Sequence, residues 1–117
     1  MSARTFDINK TKKYGNVTVI NNELGIAVVL HMTEVVVYSE SLNKIYLSSG
    51  GWKTPTTKLA INNALRQLET LTGQEFPTLV QVNGKWFLDS FDKSGFKRID
   101  FQDGMELAVY PLLQALA

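Results

Sequence analysis

Residues 47–58 read LSSGGWKTPTTK and combine residue types that bind anions. Consecutive glycines let successive backbone N–H groups point at one ligand, and a helix N-terminus adds unpaired N–H groups and partial positive charge. A tryptophan can stack on a ring, while threonines and lysines can donate to a phosphate and neutralise it. We therefore predict that a nucleotide or nucleic-acid phosphate binds at Gly50, Gly51, Trp52, Lys53, Thr54, Thr56, Thr57 and Lys58.

A purely structural interpretation of the same stretch stays open. Gly50 and Gly51 would then only turn a strand into a helix. Thr54 and Thr57 would only cap that helix, and Trp52 would cover the core. The GxxxxGK[ST] spacing of a phosphate-binding P-loop is absent. What favours a ligand is that the stretch holds more donors than capping requires.

Residue types for catalysis and metal binding are sparse. The absence of cysteine excludes thiolate catalysis, disulfides and zinc-thiolate sites. The single histidine, His31, lies at the end of a predicted strand, and no motif places a hydroxyl or an acid beside it. The aspartates of the C-terminal half match no calcium-loop spacing. We therefore predict no catalytic residue, no metal and no cofactor, and expect a binding protein rather than an enzyme.

The elements that must position the 47–58 stretch are strands on either side of one helix. Residues 16–49 contain alternating and β-branched runs, which predict four short antiparallel strands. Residues 54–72 instead follow a helical period, with Thr-Pro at the start and Gly73 after the end. The predicted apolar face of this helix comprises Ile61, Ala64, Leu65, Leu68 and Leu71.

The period returns to two after the helix. Asn83-Gly84 is typical of a type I′ hairpin turn, and turns at 92–95 and 103–104 separate further alternating runs. This pattern predicts a second antiparallel meander over residues 78–110. We expect an α+β fold in which one amphipathic helix, about 54–72, packs on antiparallel sheet. Periodicity leaves open whether the two meanders form one sheet or a partly closed barrel.

Length and composition indicate one small domain. The 117 residues carry a net charge of +1, so no strong field attracts nucleic acid. Residues 1–13 hold four basic side chains and few apolar ones, and we expect a flexible basic arm there, followed by a single α+β domain over residues 14–117. No apolar run reaches the length of a membrane span, so no membrane partner is expected.

The C-terminal half interleaves aromatic and basic residues. Such a pattern can form a platform for single-stranded nucleic acid, although core packing explains any one of the aromatics. On strand alternation, Trp86 and Leu88 share one face while Lys85 and Phe87 share the other. One face must be the core, which leaves a second apolar surface, and we expect a homo-oligomer. The pattern comprises Lys85, Trp86, Phe87, Lys93, Phe96, Lys97, Arg98 and Phe101.

Residues 30–65 resemble a family of small bacteriophage proteins with the signature LHxT…LxSGGWxTxTTK and a later FxDG element. The matching positions are Leu30, His31, Thr33, Leu47, Ser49, Gly50, Gly51, Trp52, Lys53, Thr54, Thr56, Thr57, Lys58, Asn62, Phe101, Asp103 and Gly104. The resemblance implies a phage protein in the cytoplasm of the infected host cell. It adds His31 and Thr33 to the predicted ligand-binding residues and implies no activity.

Two functions from different classes follow. The first is a non-enzymatic phage accessory protein that binds a nucleotide or nucleic acid at the Gly-Gly-Trp/Thr-Thr-Lys loop, in counter-defence or host takeover. The second is a protein–protein interaction module, an inhibitor of a host or defence protein or a virion component, which acts through an apolar sheet face. A third interpretation is a small hydrolase that uses His31 near Thr33 and an aspartate.

Overall fold

The computed structural model describes residues 6–110. Within this range one helix lies between two groups of antiparallel strands, which confirms the predicted α+β fold. The first five residues of the predicted arm and the terminal piece after Pro111 lie outside the described residues. The elements are β1 (Lys12–Tyr14), β2 (Val17–Asn22), β3 (Gly25–Leu30), β4 (Thr33–Ser39), β5 (Lys44–Leu47), α1 (Pro55–Thr72), β6 (Thr78–Val82), β7 (Lys85–Asp92), β8 (Gly95–Asp100) and β9 (Met105–Ala108).

The larger sheet has six strands in the order β1-β2-β3-β4-β5-β9. Its β-branched and leucine side chains alternate between a buried face and a partly exposed face, as expected where a sheet is covered on one side only. A β-bulge at Val35 interrupts the pairing of β3 with β4, so that both Val35 and Val36 are buried. The Val35 carbonyl accepts the Ser48 amide at 3.0 Å. The bulge therefore ties β4 to the start of the glycine loop.

The last strand joins this larger sheet, which the sequence pattern did not predict. β9 pairs with β5, with Met105 opposite Leu47 and Ala108 opposite Lys44. The second meander therefore ends at β8, and residues 6–110 contain two separate sheets rather than one sheet or a barrel. Alternation marks a segment as a strand but carries no information about which strand it pairs with.

The helix begins and ends where its capping residues predict. The Thr54 hydroxyl accepts the Thr57 amide at 3.2 Å, and Pro55 occupies the first helical position. Gly73 ends the helix with a left-handed φ of 76°, and its amide donates to the Glu69 carbonyl at 2.9 Å. Both ends of α1 are thus determined by local sequence.

The apolar face of α1 is buried as predicted except in its last turn. Ile61, Ala64, Leu65 and Leu68 are buried in the core between α1 and the sheets. Leu71 is 48% exposed, because the last turn faces an open surface cavity of about 440 Å³. The prediction of Leu71 as a core residue is therefore wrong.

No helix within the described residues is long and apolar enough to cross a membrane.

The N-terminal segment is packed on the domain from Phe6 onward. Phe6 and Ile8 are buried, and β1 pairs with β2. The Gln67 side chain on α1 accepts from the Ile8 amide at 2.9 Å and donates to the Phe6 carbonyl at 2.8 Å. Residues 6–13, which were predicted to form a solvated arm, therefore belong to the domain. The two apolar residues outweigh the lysines around them because burying each removes apolar surface from water.

The smaller sheet has three strands in the order β6-β7-β8. Asn83 and Gly84 have φ angles of 51° and 78°, which confirms the predicted type I′ turn. The core face carries Trp86 and Leu88, and the opposite face carries Lys85 and Phe87, also as predicted. The second edge of this sheet is β8, all six residues of which are exposed.

Candidate functional site

The loop between β5 and α1 turns through its two glycines. Gly50 and Gly51 have φ angles of 63° and 84°, which glycine adopts without the clash that a Cβ would cause. At Gly50 the space also requires glycine, because a Cβ there would lie 2.6 Å from both Oγ1 and Cγ2 of Thr33. At Gly51 nothing lies within 4 Å of that position. The loop is therefore packed directly against the beginning of β4.

The backbone amides of this loop are mostly used inside the protein. Gly50 donates to the Ser48 hydroxyl and Gly51 to the Ser49 hydroxyl, both at 3.1 Å. Trp52 donates to the Ser49 carbonyl and Thr54 to the Trp52 carbonyl, both at 3.0 Å. The prediction that the amides from Gly51 to Thr54 are open to an anion is therefore wrong for Gly51, Trp52 and Thr54. Serine hydroxyls satisfy the two glycine amides, and backbone carbonyls satisfy those of Trp52 and Thr54.

A buried serine fixes the loop to the far end of the chain. The Ser49 amide and hydroxyl both donate to Asp103 Oδ1, at 2.7 and 2.8 Å. The following Gly104 amide donates to the Leu47 carbonyl at 2.8 Å. The Asp103-Gly104 turn thus fixes Leu47 and Ser49, which lie just before the two glycines.

A cavity of about 530 Å³ lies between this loop, the start of α1 and the hairpin that joins β3 to β4. Six of the predicted site residues line it, and five further residues complete the lining. The predicted ones are His31, Thr33, Trp52, Thr54, Thr56 and Thr57, and the others are Asn16, Leu30, Met32, Val35 and Ser49. The predicted residues Gly50, Gly51, Lys53 and Lys58 do not line the cavity.

One side of the cavity is the tip of the β3–β4 hairpin. His31 adopts a left-handed φ of 56° in the two-residue turn, and its amide donates to the Asn16 carbonyl at 2.8 Å. This contact holds the hairpin tip against the turn between β1 and β2. The imidazole is exposed, so it can form hydrogen bonds to a bound molecule.

The opposite side is the start of α1, where capping and free donors are combined. Thr54 and Thr57 are hydrogen-bonded to each other through their hydroxyls at 3.0 Å, and Thr57 is buried. These two residues cap the helix, as the structural interpretation predicted. The hydroxyls of Thr33 and Thr56 have no hydrogen-bond partner within the described part of the chain. Those two hydroxyls are therefore the ones available to a ligand.

Trp52 is a wall of the cavity and not a lid over the core. Its side chain is 69% exposed, which is unusual for tryptophan. The interpretation in which the indole folds over the core is therefore wrong. Lys53, next to it, is exposed, and Lys58, one turn into α1, is half-buried. The indole offers an apolar face beside the cavity, and the two ammonium groups belong to the same short segment.

Comparison with known protein families shows which family the chain belongs to. The sequence model of the Kyanoviridae Gp96 protein family matches residues 2–108. The chain belongs to this bacteriophage family. The comparisons with curated proteins and with solved structures find no match. The match covers the whole described fold except its last two residues, and it confirms that the chain belongs to a phage family.

Among the described residues, neither a carboxylate in the cavity lining nor a metal-binding cluster is found. Within residues 6–110 the lining contains no carboxylate, so no lining residue supplies the acid of a triad with His31 and Thr33. In the same range, no group of three or more histidine, aspartate or glutamate side chains is placed to hold a metal ion. Asp89 binds Arg98, and Asp92 accepts from its own turn, so these two aspartates have structural partners.

Several lining residues could not be identified from residue type. Leu30 and Val35 are apolar residues of β3 and β4, and Asn16 lies in the turn before β2. Ser49 carried a signal in the family-like Leu-x-Ser-Gly-Gly pattern, but its role is to hold Asp103. The sequence therefore indicated the polar part of the site and missed its apolar floor.

Proposed function

We propose that this phage protein binds a nucleotide in the cavity between the glycine loop and the β3–β4 hairpin, without catalysing a reaction. The observation that supports this most is the exposed Trp52 indole beside a cavity of about 530 Å³ that also presents an imidazole and two unpartnered hydroxyls. Ligand sites of this kind have volumes of roughly 300–1,000 Å³ and combine apolar walls with a few polar groups.

Each part of a nucleotide has a complement in this arrangement. The base stacks on the indole of Trp52, a contact that every base can form through its flat face. His31 and Thr33 hydrogen-bond polar edges of the base or the sugar. The phosphate lies toward the start of α1, where the Thr56 amide and hydroxyl are unpartnered and the helix dipole favours negative charge.

The charged part of this site differs from the predicted one, in which the backbone amides of the glycine loop bind the phosphate. Most glycine-loop amides are already bonded, so affinity for the phosphate depends on the Thr56 donors and on the ammonium groups of Lys53 and Lys58. Both lysines lie outside the cavity lining, and their contribution is a screened attraction rather than a direct hydrogen bond. A free phosphate ion is therefore expected to bind much more weakly than a nucleotide.

Tryptophan fluorescence tests the proposal. The chain has two tryptophans, Trp52 and the buried Trp86, so quenching at the site must disappear in Trp52→Phe. The ligands are mononucleotides, cyclic and linear dinucleotides, short single-stranded oligonucleotides and inorganic phosphate. We expect saturable quenching by at least one nucleotide, weakened by Thr56→Val and by Lys58→Ala. Lys93→Ala, in the distant β7–β8 turn, is the matched control.

The proposal fails if no nucleotide quenches Trp52 or gives heat in calorimetry at millimolar concentration. It also fails if quenching persists in Trp52→Phe, since the reporting residue would then be Trp86. If Lys58→Ala and Lys93→Ala lose the same nucleotide affinity, the net charge of the protein alone attracts the nucleotide, which also contradicts the proposal. Binding of oligonucleotides but not mononucleotides would change the ligand class to nucleic acid.

A second candidate function is binding of a host or defence protein through the outer face of the larger sheet. Strand register places Ile20, Ala27, Val37 and Tyr46 in one row on that face, across four neighbouring strands. All four are at least partly exposed. We expect Val37→Lys to abolish capture of a specific partner from infected cells without changing nucleotide binding, and Glu34→Lys on the same face serves as the control.

A further inference from the structure

We propose that β8 is a dimerisation edge, which pairs antiparallel with β8 of a second copy of this chain in a register centred on Ile99. β8 forms the outer edge of the three-stranded sheet, and all six of its residues are exposed. Two of them are large and apolar: Phe96 is 53% exposed, and Ile99 is also exposed. An unpaired edge of this kind is a template for another strand.

The backbone of β8 has the polarity that such pairing needs. The Phe101 amide donates to the Trp86 carbonyl at 3.1 Å, so Phe101 and, by alternation, Ile99 direct their backbone groups toward β7. Arg98 and Asp100 therefore direct theirs away from the sheet. Within residues 6–110 these outward groups have no partner.

The side chains favour one register. An antiparallel pair centred on Ile99 places Ile99 opposite its own copy and Arg98 opposite the second copy's Asp100, twice by symmetry. The pair then gains one apolar contact and two opposite-charge contacts. Centring the pair on Lys97, Arg98 or Asp100 instead would place like charges directly opposite each other, and centring it on Phe96 would form neither opposite-charge contact. The sequence of β8 is therefore self-complementary about Ile99.

The guanidinium of Arg98 is held in place for this contact. It lies over the rings of Phe87 and Phe96, 5.1 and 5.3 Å from their centroids. Its Nε and Nη2 donate to the two carboxylate oxygens of Asp89, both at 2.7 Å. A guanidinium has further N–H donors beyond these two atoms, and they remain for the second copy's Asp100.

Charge also argues for a protein partner rather than nucleic acid. On the outward face of β7 and β8, Lys85 and Arg98 are balanced by Asp89 and Asp100. A surface without net positive charge does not attract a phosphate backbone. A surface with equal numbers of both signs can instead match itself across a twofold axis.

Charge reversal with complementation tests the register. Arg98→Asp alone and Asp100→Arg alone each place like charges opposite each other twice, and we expect each to raise the dimer dissociation constant at least about tenfold. In an equimolar mixture, every carboxylate at position 98 or 100 faces a guanidinium, so the dimer should return. Light scattering after size exclusion and sedimentation velocity of the full chain measure both states.

Disulfide trapping provides a readout that does not depend on those variants. The chain contains no cysteine, so Ile99→Cys has no background. Directly opposed residues of a non-hydrogen-bonded antiparallel pair have Cα atoms about 4.5 Å apart, within disulfide range. Oxidation should therefore link Ile99→Cys and leave Lys97→Cys unlinked. A monomeric wild type at high concentration, linkage at 97 rather than 99, or no recovery in the mixture of folded variants would overturn the proposal.

Discussion

Gly50→Ala tests how closely the glycine loop is packed against the β3–β4 hairpin. A Cβ at this position would lie 2.6 Å from two side-chain atoms of Thr33. The left-handed φ of 63° costs alanine about 1–2 kcal/mol, and overpacking a well-packed site costs about 1–3 kcal/mol. We therefore expect the free energy of unfolding to fall by about 2–5 kcal/mol.

Gly51→Ala separates the two contributions. Gly51 has a similar left-handed φ of 84°, but nothing lies within 4 Å of its Cβ position. Its substitution should cost only the backbone part, about 1–2 kcal/mol. Thr33→Ala removes the two atoms that lie 2.6 Å from the new Cβ of Gly50→Ala and leaves only Thr33 Cβ, at 3.2 Å. The double variant should therefore recover about 1–3 kcal/mol relative to the sum of the single losses.

Urea denaturation followed by circular dichroism measures all four variants under one condition. Equal losses for Gly50→Ala and Gly51→Ala would refute the reasoning, because the close contact with Thr33 would then have no energetic consequence. Additive losses in the double variant would refute it independently. A folded Gly50→Ala protein is also expected to bind nucleotide more weakly than Gly51→Ala, since the displaced Thr33 lines the cavity.

Three further predictions follow from the contacts described. Asp103→Ala removes the acceptor of two hydrogen bonds from the glycine loop and should cost about 2–3 kcal/mol in urea denaturation. Leu65→Ala should cost about 2–5 kcal/mol and Leu71→Ala less than about 1 kcal/mol, because only the first is buried. Hydrogen bonding to the Arg98 guanidinium lowers the pKa of Asp89. The stabilisation from this ionised pair is present above the unfolded-state pKa of Asp89 and is lost as pH falls through its lower folded-state pKa. Arg98→Gln should therefore raise the pKa of Asp89 in an NMR titration. The free energy of unfolding of this variant should also fall less than that of the wild type as the pH is lowered.

Features that depend on neighbouring residues could be predicted from the sequence. Thr54 and Gly73 determine the two ends of the helix through their own backbone and hydroxyl geometry. Asn83-Gly84 determines its hairpin in the same way. Each of these signals is local, since the residues that form the contact lie within a few positions of one another.

Features that depend on distant partners could not be predicted. The pairing of β9 with β5 joins segments separated by the helix and a whole sheet. The backbone of Phe6 and Ile8 is hydrogen-bonded to Gln67, which lies far along the chain. No periodicity within a strand or an arm contains this information.

The candidate site could be predicted only in part, because some of its contacts are local and others depend on how side chains turn in the folded protein. Helix capping could be recognised from Thr54 and Thr57, but the state of the glycine amides depended on whether Ser48 and Ser49 turned their hydroxyls toward them. His31 entered the predicted site only through the family resemblance. It lines the same cavity as Trp52 because it lies in the turn of the β3–β4 hairpin.

The pairing of β5 with β9 has a consequence for the order in which the protein assembles during synthesis. Ser49 leaves the ribosome well before Asp103, the residue that fixes its amide and hydroxyl. The glycine loop therefore reaches its final form only after translation has passed the entire smaller sheet. Because such long-range contacts form slowly, the nascent chain should gain helix and hairpins first and the ability to bind a small molecule last.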